Sequence, residues 1–111
     1  MDCIFCKIIN KEMPTDIVYE DERLMAFEDI KPVAPIHILI VPKEHIVSIN
    51  QLEAEDRELI GEMVLAAKKI AQGLKIADSG YRLIFNIGKN SGQTVDHLHL
   101  HLLGGKKLPW A

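Results

Sequence analysis

Cysteine is nearly absent from this chain of 111 residues: the two present, Cys3 and Cys6, are too few for a disulfide framework and suit a reducing compartment. A basic block is missing as well. The formal charge is −3 with both signs interspersed, so neither a nucleic-acid partner nor a membrane surface is expected. The opening MDCIFCKII has no basic segment ahead of its apolar residues, and Lys7 interrupts them, so it reads neither as a signal peptide nor as a membrane span. Together these absences point to a cytoplasmic protein. No internal repeat, linker or low-complexity tract is visible, and a chain 48% apolar and 26% charged fits one globular domain over residues 1–111.

What is present is concentrated near the end. In VDHLHLHLL, residues 95–103, three histidines stand two apart in an apolar run. Extended backbone would put His97, His99 and His101 on one face, about 6.5–7 Å apart, and Leu98, Leu100 and Leu102 on the other. A helix would scatter them around its axis. The leucines then face a core, and the histidines are a hydrogen-bonded polar row, a metal site, or a catalytic row in which one imidazole attacks an electrophile. The preceding NIGKNSGQT favours the last: Gly88 and Gly92 let backbone N–H groups turn toward an anion, and Ser91 and Thr94 add hydroxyls.

The remaining pattern predicts an α+β domain, an antiparallel sheet of four to five strands with one long helix and a short N-terminal helix. CIFCKIIN forms the short helix, with Ile4, Ile8 and Ile9 on one side and Pro14 ending it. DIVYE and LMAFE make a hairpin around Asp21, Glu22 and Arg23, and HILIVP follows the proline-bearing loop IKPVAP as a buried strand. From Asn50 the period becomes helical. Leu52, Leu59, Ile60, Met63, Val64, Ala67, Ile70, Ala71 and Leu74 trace a stripe, Asn50 and Glu53 resemble a capping pair, and Gly73 or the residues around Gly80 mark the end. YRLIFNI and VDHLHLHLL return to strand.

HLHLHLL, preceded by SGQTVD and followed by GGKKLPW, together with AFEDIKPVAPIHILIVPKEH in the first half, resembles the histidine triad (HIT) hydrolases over nearly the whole chain. The short length, the paired glycines after the last strand and Trp110 are similar to the Hint branch, the purine nucleoside phosphoramidases. The nucleotidyltransferase branch has glutamine at the third triad position, where this chain keeps His101. The dinucleoside polyphosphate hydrolase branch usually differs after the last strand. Dinucleoside polyphosphate hydrolysis and a nucleotide-binding scaffold role are the alternatives.

The resemblance implies a HIT fold and attack by His99 on the α-phosphorus of a purine nucleoside 5′-phosphoramidate, an AMP or GMP derivative, through a nucleotidyl-histidine intermediate. Neutral imidazole supplies such a nucleophile near neutral pH. His101 and His37 complete the catalytic row. Thr94 sits near the leaving group, Gln93 and Asn86 near the phosphate, and N–H groups from Gly92 to Thr94 act as donors. Asp29 takes the ribose hydroxyls or caps the turn before Pro32; Phe27, Ile30 and Leu39 line a base pocket or belong to the core. Cys3 and Cys6 are packing residues, a redox pair or, as in members that retain the pair, half of a structural zinc site completed by His45 and His97. A homodimer with a continuous sheet, formed through the long helix and the strand around YRLIFN, is also implied. Trp110 then either covers its own core or reaches the partner's site.

Overall fold

The hairpin is built as expected. In the computed structural model, which describes residues 3–110, β1 (Ile17–Glu20) and β2 (Leu24–Glu28) pair antiparallel. Asp21 closes the turn by accepting the N–H groups of Arg23 and Leu24 on Oδ1, both at 2.8 Å. β3 (Ile36–Pro42) pairs with β2, and β5 (Leu100–Gly104) inserts between β3 and β4 (Tyr81–Phe85). The sheet is entirely antiparallel, five strands in the order β1-β2-β3-β5-β4.

Alternation sorts each central strand onto two cores. Leu24, Ala26, Ile38, Ile40, Leu100 and Leu102 face α2 (Arg57–Gly73), meeting Leu59, Met63, Ala67 and Ile70. On the other face Met25, Phe27, Leu39 and Val41 pack against Cys3, Phe5 and Ile8 at α1 (Ile4–Ile9). One side therefore carries the structural helix, and the other is left for the histidines.

Boundaries depart from the sequence pattern in three places. α2 starts at Arg57, with single 3-10 turns at Ile49–Gln51 and Ala54–Asp56 before it. The capping box joins Glu53 and Asp56, while the Asn50 N–H goes to the Ser48 hydroxyl, so the expected Asn50–Glu53 pair does not form. Leu52 thus lies outside α2, and Val64 and Leu74 are 40% and 41% exposed, which narrows the buried stripe to Leu59, Met63, Ala66, Ala67, Ile70 and Ala71. In α1 the buried residues are Phe5 and Ile8, whereas Ile4 is 38% exposed, and the helix is capped at Asn10, well before Pro14. Finally, β5 begins at Leu100. The stretch from Val95 to His99 bends instead of joining the ladder, although Leu98 still faces the α2 core.

Candidate active site

Of the three spaced histidines only His101 sits in a strand, where its cross-strand partners are Leu39 on β3 and Ile84 on β4. Phe27 is in turn opposite Leu39, so Phe27, Leu39 and His101 form one row across the sheet. His99 immediately precedes the strand, and its ring centroid is 4.8 Å from that of His101. His97 lies in the bend, fully buried, and its ring turns toward α1 and His45. The three rings keep the expected face, since Leu98 packs with Leu100 and Leu102 in the α2 core while Phe5 touches both His97 and His99, and on that face they divide into a pair and a separate ring.

The network fixes the proton on each ring. His99 Nδ1 is 2.7 Å from the His97 carbonyl oxygen, which can only accept, so Nδ1 carries the hydrogen and Nε2 keeps its lone pair. The Val33 N–H donates to His37 Nδ1 at 3.2 Å, so neutral His37 holds its hydrogen on Nε2. That atom is 2.9 Å from His101 Nδ1 and 3.4 Å from Asp29 Oδ2. His101 therefore accepts on Nδ1 and retains an Nε2–H. Burial, with neighbouring His99 and His37, pushes His101 down to about 4 against the partial counterweight of Asp29. Burial also lowers His37. The pair is thus a lone-pair nucleophile beside a neutral N–H donor.

A cavity of about 300 Å³ opens onto this pair, lined by His99, His101, Thr94, Asp29, Phe27, Leu39 and Ile30. Ile30 is 80% exposed and forms an outer lip rather than a core contact. Asp29 reaches the site through an N–H bond to the His37 carbonyl at 3.0 Å, which extends the strand pairing. Its Oδ1 accepts the Lys31 N–H at 2.8 Å, so the turn-capping role is present, and each carboxylate oxygen keeps further acceptor capacity.

The glycine loop is stapled internally. Gly88 and Gly92 have φ of 80° and 92°, a backbone region glycine enters without a Cβ penalty. Gln93 Oε1 accepts the Gly88 N–H at 2.8 Å while its Nε2 reaches the Val47 and Val95 carbonyls, and Asn86 Nδ2 holds the Ser91 carbonyl at 2.9 Å. The Gly92 and Gln93 N–H groups donate to the Lys89 and Gly88 carbonyls, so both are spent within the loop instead of facing an anion. Sequence reasoning missed the cavity wall supplied by Ile4, Phe5 and Ile8 of α1, along with Met13 and Val95. The i, i+4 spacing of Ile4 and Ile8 was the signal, but helical spacing alone does not distinguish a pocket wall from a core contact.

Across α1 from the cavity, Cys3, Cys6, His45 and His97 bring one ligand atom each within 4.8 Å of one another. His97 Nδ1 is 3.3 Å from Cys3 Sγ and 3.7 Å from Cys6 Sγ, and His45 Nδ1 is 3.2 Å from Cys6 Sγ. Tetrahedral Zn–S and Zn–N bonds of about 2.3 and 2.0 Å require edges of about 3.3–3.8 Å, so the donor set fits. His97 Nε2 donates to the Pro42 carbonyl at 2.8 Å, which leaves Nδ1 free to ligate.

Residues 2–109 match the family described as scavenger mRNA decapping enzyme C-term binding. The chain is 50% identical to the purine nucleoside phosphoramidase of Escherichia coli K12, over 96% of this chain and 90% of that protein. It superimposes on a HIT family hydrolase from Legionella pneumophila with a TM-score of 0.96 at 48% identity, covering 98% of this chain and 97% of the other. A histidine triad protein from Clostridium difficile gives a TM-score of 0.97 at 47% identity, covering 100% and 96%.

Proposed function

The chain belongs to the histidine triad hydrolase family, and on that premise we propose that it cleaves the P–N bond of purine nucleoside 5′-phosphoramidates. The products are a nucleoside monophosphate and an amine. The observation that carries this reading is the 2.7 Å bond from His99 Nδ1–H to the His97 carbonyl, which leaves the other ring nitrogen of a cavity-lining histidine as a lone-pair nucleophile.

His99 Nε2 bonds to the α-phosphorus, and the P–N pair departs with the amine nitrogen, which takes a proton from solvent. The ring gains positive charge as it is phosphorylated, and its Nδ1–H bond to the carbonyl strengthens at that moment. Water then attacks phosphorus, the P–Nε2 pair returns to the ring, and a proton leaves to solvent. His101 donates its Nε2–H to phosphoryl oxygen throughout, since burial keeps it neutral; His37 holds it in that tautomer. Asp29 takes the ribose hydroxyls, Phe27, Leu39 and Ile30 receive the base with α1, and Thr94 stands near the leaving amine. Gln93, Asn86 and Gly92 shape the phosphate loop. Zinc would be held by Cys3, Cys6, His45 and His97 and would supply structure, not chemistry. The two free thiols accord with a cytoplasmic setting.

The test is turnover of a fluorogenic adenosine phosphoramidate compared with diadenosine polyphosphates. Release of the amine from the first, with much slower cleavage of the second, is expected. Preferential cleavage of the polyphosphates would replace the phosphoramidase assignment, and binding of AMP without either turnover would leave a scaffold role.

A further inference from the structure

The thiol–imidazole cluster and the cavity share a wall. Cys3 caps α1 by accepting the Cys6 N–H on its sulfur, and between and after these cysteines stand Ile4, Phe5 and Ile8, all of which line the cavity. Phe5, 6% exposed, packs edge-on against Phe27, His97 and His99, with ring centroids 5.5, 5.8 and 5.1 Å away. At six residues α1 is too short to persist without tertiary anchors. Among the described residues, the side-chain hydrogen bonds that tie Cys3 and α1 to the rest of the protein run only through the two sulfurs, to His97 and His45. His97 belongs to both places, its ring beside the sulfurs and its carbonyl on His99.

We propose that the Cys3, Cys6, His45 and His97 cluster is a positioning element for nucleoside binding: a metal ion seated there fixes α1, and α1 holds Ile4, Phe5 and Ile8 against the nucleoside. Metal and nucleotide then bind with positive coupling, and by linkage each raises the affinity of the other by the same factor. This rests on the nucleotide reading given above. The coupling acts on affinity because α1 forms the nucleoside wall, whereas the His97 carbonyl that sets the His99 tautomer belongs to a residue whose ring is also held, without metal, by the Pro42 carbonyl, and the His101 tautomer is set by His37 and the Val33 N–H.

The experiment compares the zinc-loaded chain with the same chain stripped by chelator, at a temperature where circular dichroism shows both folded. AMP binding is followed by calorimetry and phosphoramidate turnover by kinetics. Metal removal is expected to raise the AMP Kd and the KM by about 3- to 10-fold while kcat changes by less than about 2-fold. Global destabilisation alone would do the opposite, lowering apparent kcat through loss of competent molecules at constant KM. An unchanged AMP Kd, or a loss confined to kcat, overturns the proposal. If the stripped chain does not stay folded, the cobalt(II)-loaded protein decides: saturating AMP should shift its visible d–d absorption, and an unshifted band overturns the coupling. Failure of the zinc-loaded protein to bind AMP at all would remove the nucleotide reading itself; equal binding with and without metal removes only this inference.

Discussion

Five histidines occupy this small domain, and four are distinguished by the partner of one ring nitrogen. A carbonyl takes the His99 Nδ1–H, an amide supplies the His37 Nδ1, His37 faces the His101 Nδ1, and a carbonyl takes the His97 Nε2–H. Role follows from these bonds, and two predictions test it. His99→Ala should reduce turnover to below about a thousandth of the parent while circular dichroism and AMP binding survive, since it removes the reaction path and little packing. Rapid-quench labelling of the parent should place acid-labile, alkali-stable nucleotide on His99; label elsewhere would reassign the nucleophile. The second concerns pH. Folding holds His101 near 4, below the value of about 6.5 for free histidine, so between these limits the unfolded chain binds a proton that the folded chain refuses. The stabilisation is complete above about pH 6.5 and is lost as pH falls toward about 4. An NMR titration should find the His101 ring neutral at pH 5. Asp29→Asn, which removes the one charge favouring the protonated ring, should move its midpoint lower still.

At the scale of elements, two pieces of the sheet side carry separate loads. Met63 is fully buried where α2 meets the sheet, so Met63→Ala should cost about 2–5 kcal/mol, read as a lowered denaturant midpoint at unchanged slope. On the other face, protein purified without chelator should carry about one zinc per chain, and stripping it should lower the unfolding temperature, because a four-ligand site adds its binding energy to folding. Metal analysis at background after refolding with zinc would leave Cys3 and Cys6 as packing residues. These elements were unequally legible in sequence. Strand alternation and the α2 stripe are local periodicities, and the hairpin, β3, β4 and most of α2 follow from them. The start of α2 did not, because Asn50 loses its expected cap to Ser48, a competition between adjacent turn-forming side chains. The bend before His99 was hidden too: the leucines keep their core face through it, so the hydrophobic pattern continues where the ladder stops. The pocket wall on α1 depends on tertiary docking, and no spacing within six residues reports that.

For the whole molecule, the outer edge of β4 has no strand partner among the described residues, and its five residues are all half-buried. Leu65 on α2 is 64% exposed and Trp110 is 94% exposed. An uncovered edge and exposed apolar side chains suit a two-fold dimer with one continuous sheet, which the family resemblance also implies. Sedimentation should give a dimer for the parent chain, and a monomer would defeat that assembly. Truncation before Lys106 should leave the dimer intact while altering the preference among phosphoramidate leaving groups. At 94% exposure Trp110 does not cover its own core, which corrects that expectation from the sequence; an unchanged preference would remove its role in leaving-group selection, and dissociation would make the tail part of the interface.

The position of β5 also governs the order in which these parts come into being. It follows its neighbours in the chain yet lies between them, so β3 and β4 must wait on either side of an empty lane until the ribosome delivers the strand that joins them. The sulfur of Cys3 waits longer, since its imidazole neighbour stands 94 positions downstream. Closing so long a loop is entropically dearer than closing a hairpin, though only logarithmically, and it comes due in one late step together with the sheet. A nascent chain that stops short of His97 therefore holds no partial site: the thiols and His45 lack their fourth member, His37 lacks its neighbour His101, and the proposed nucleophile has yet to emerge.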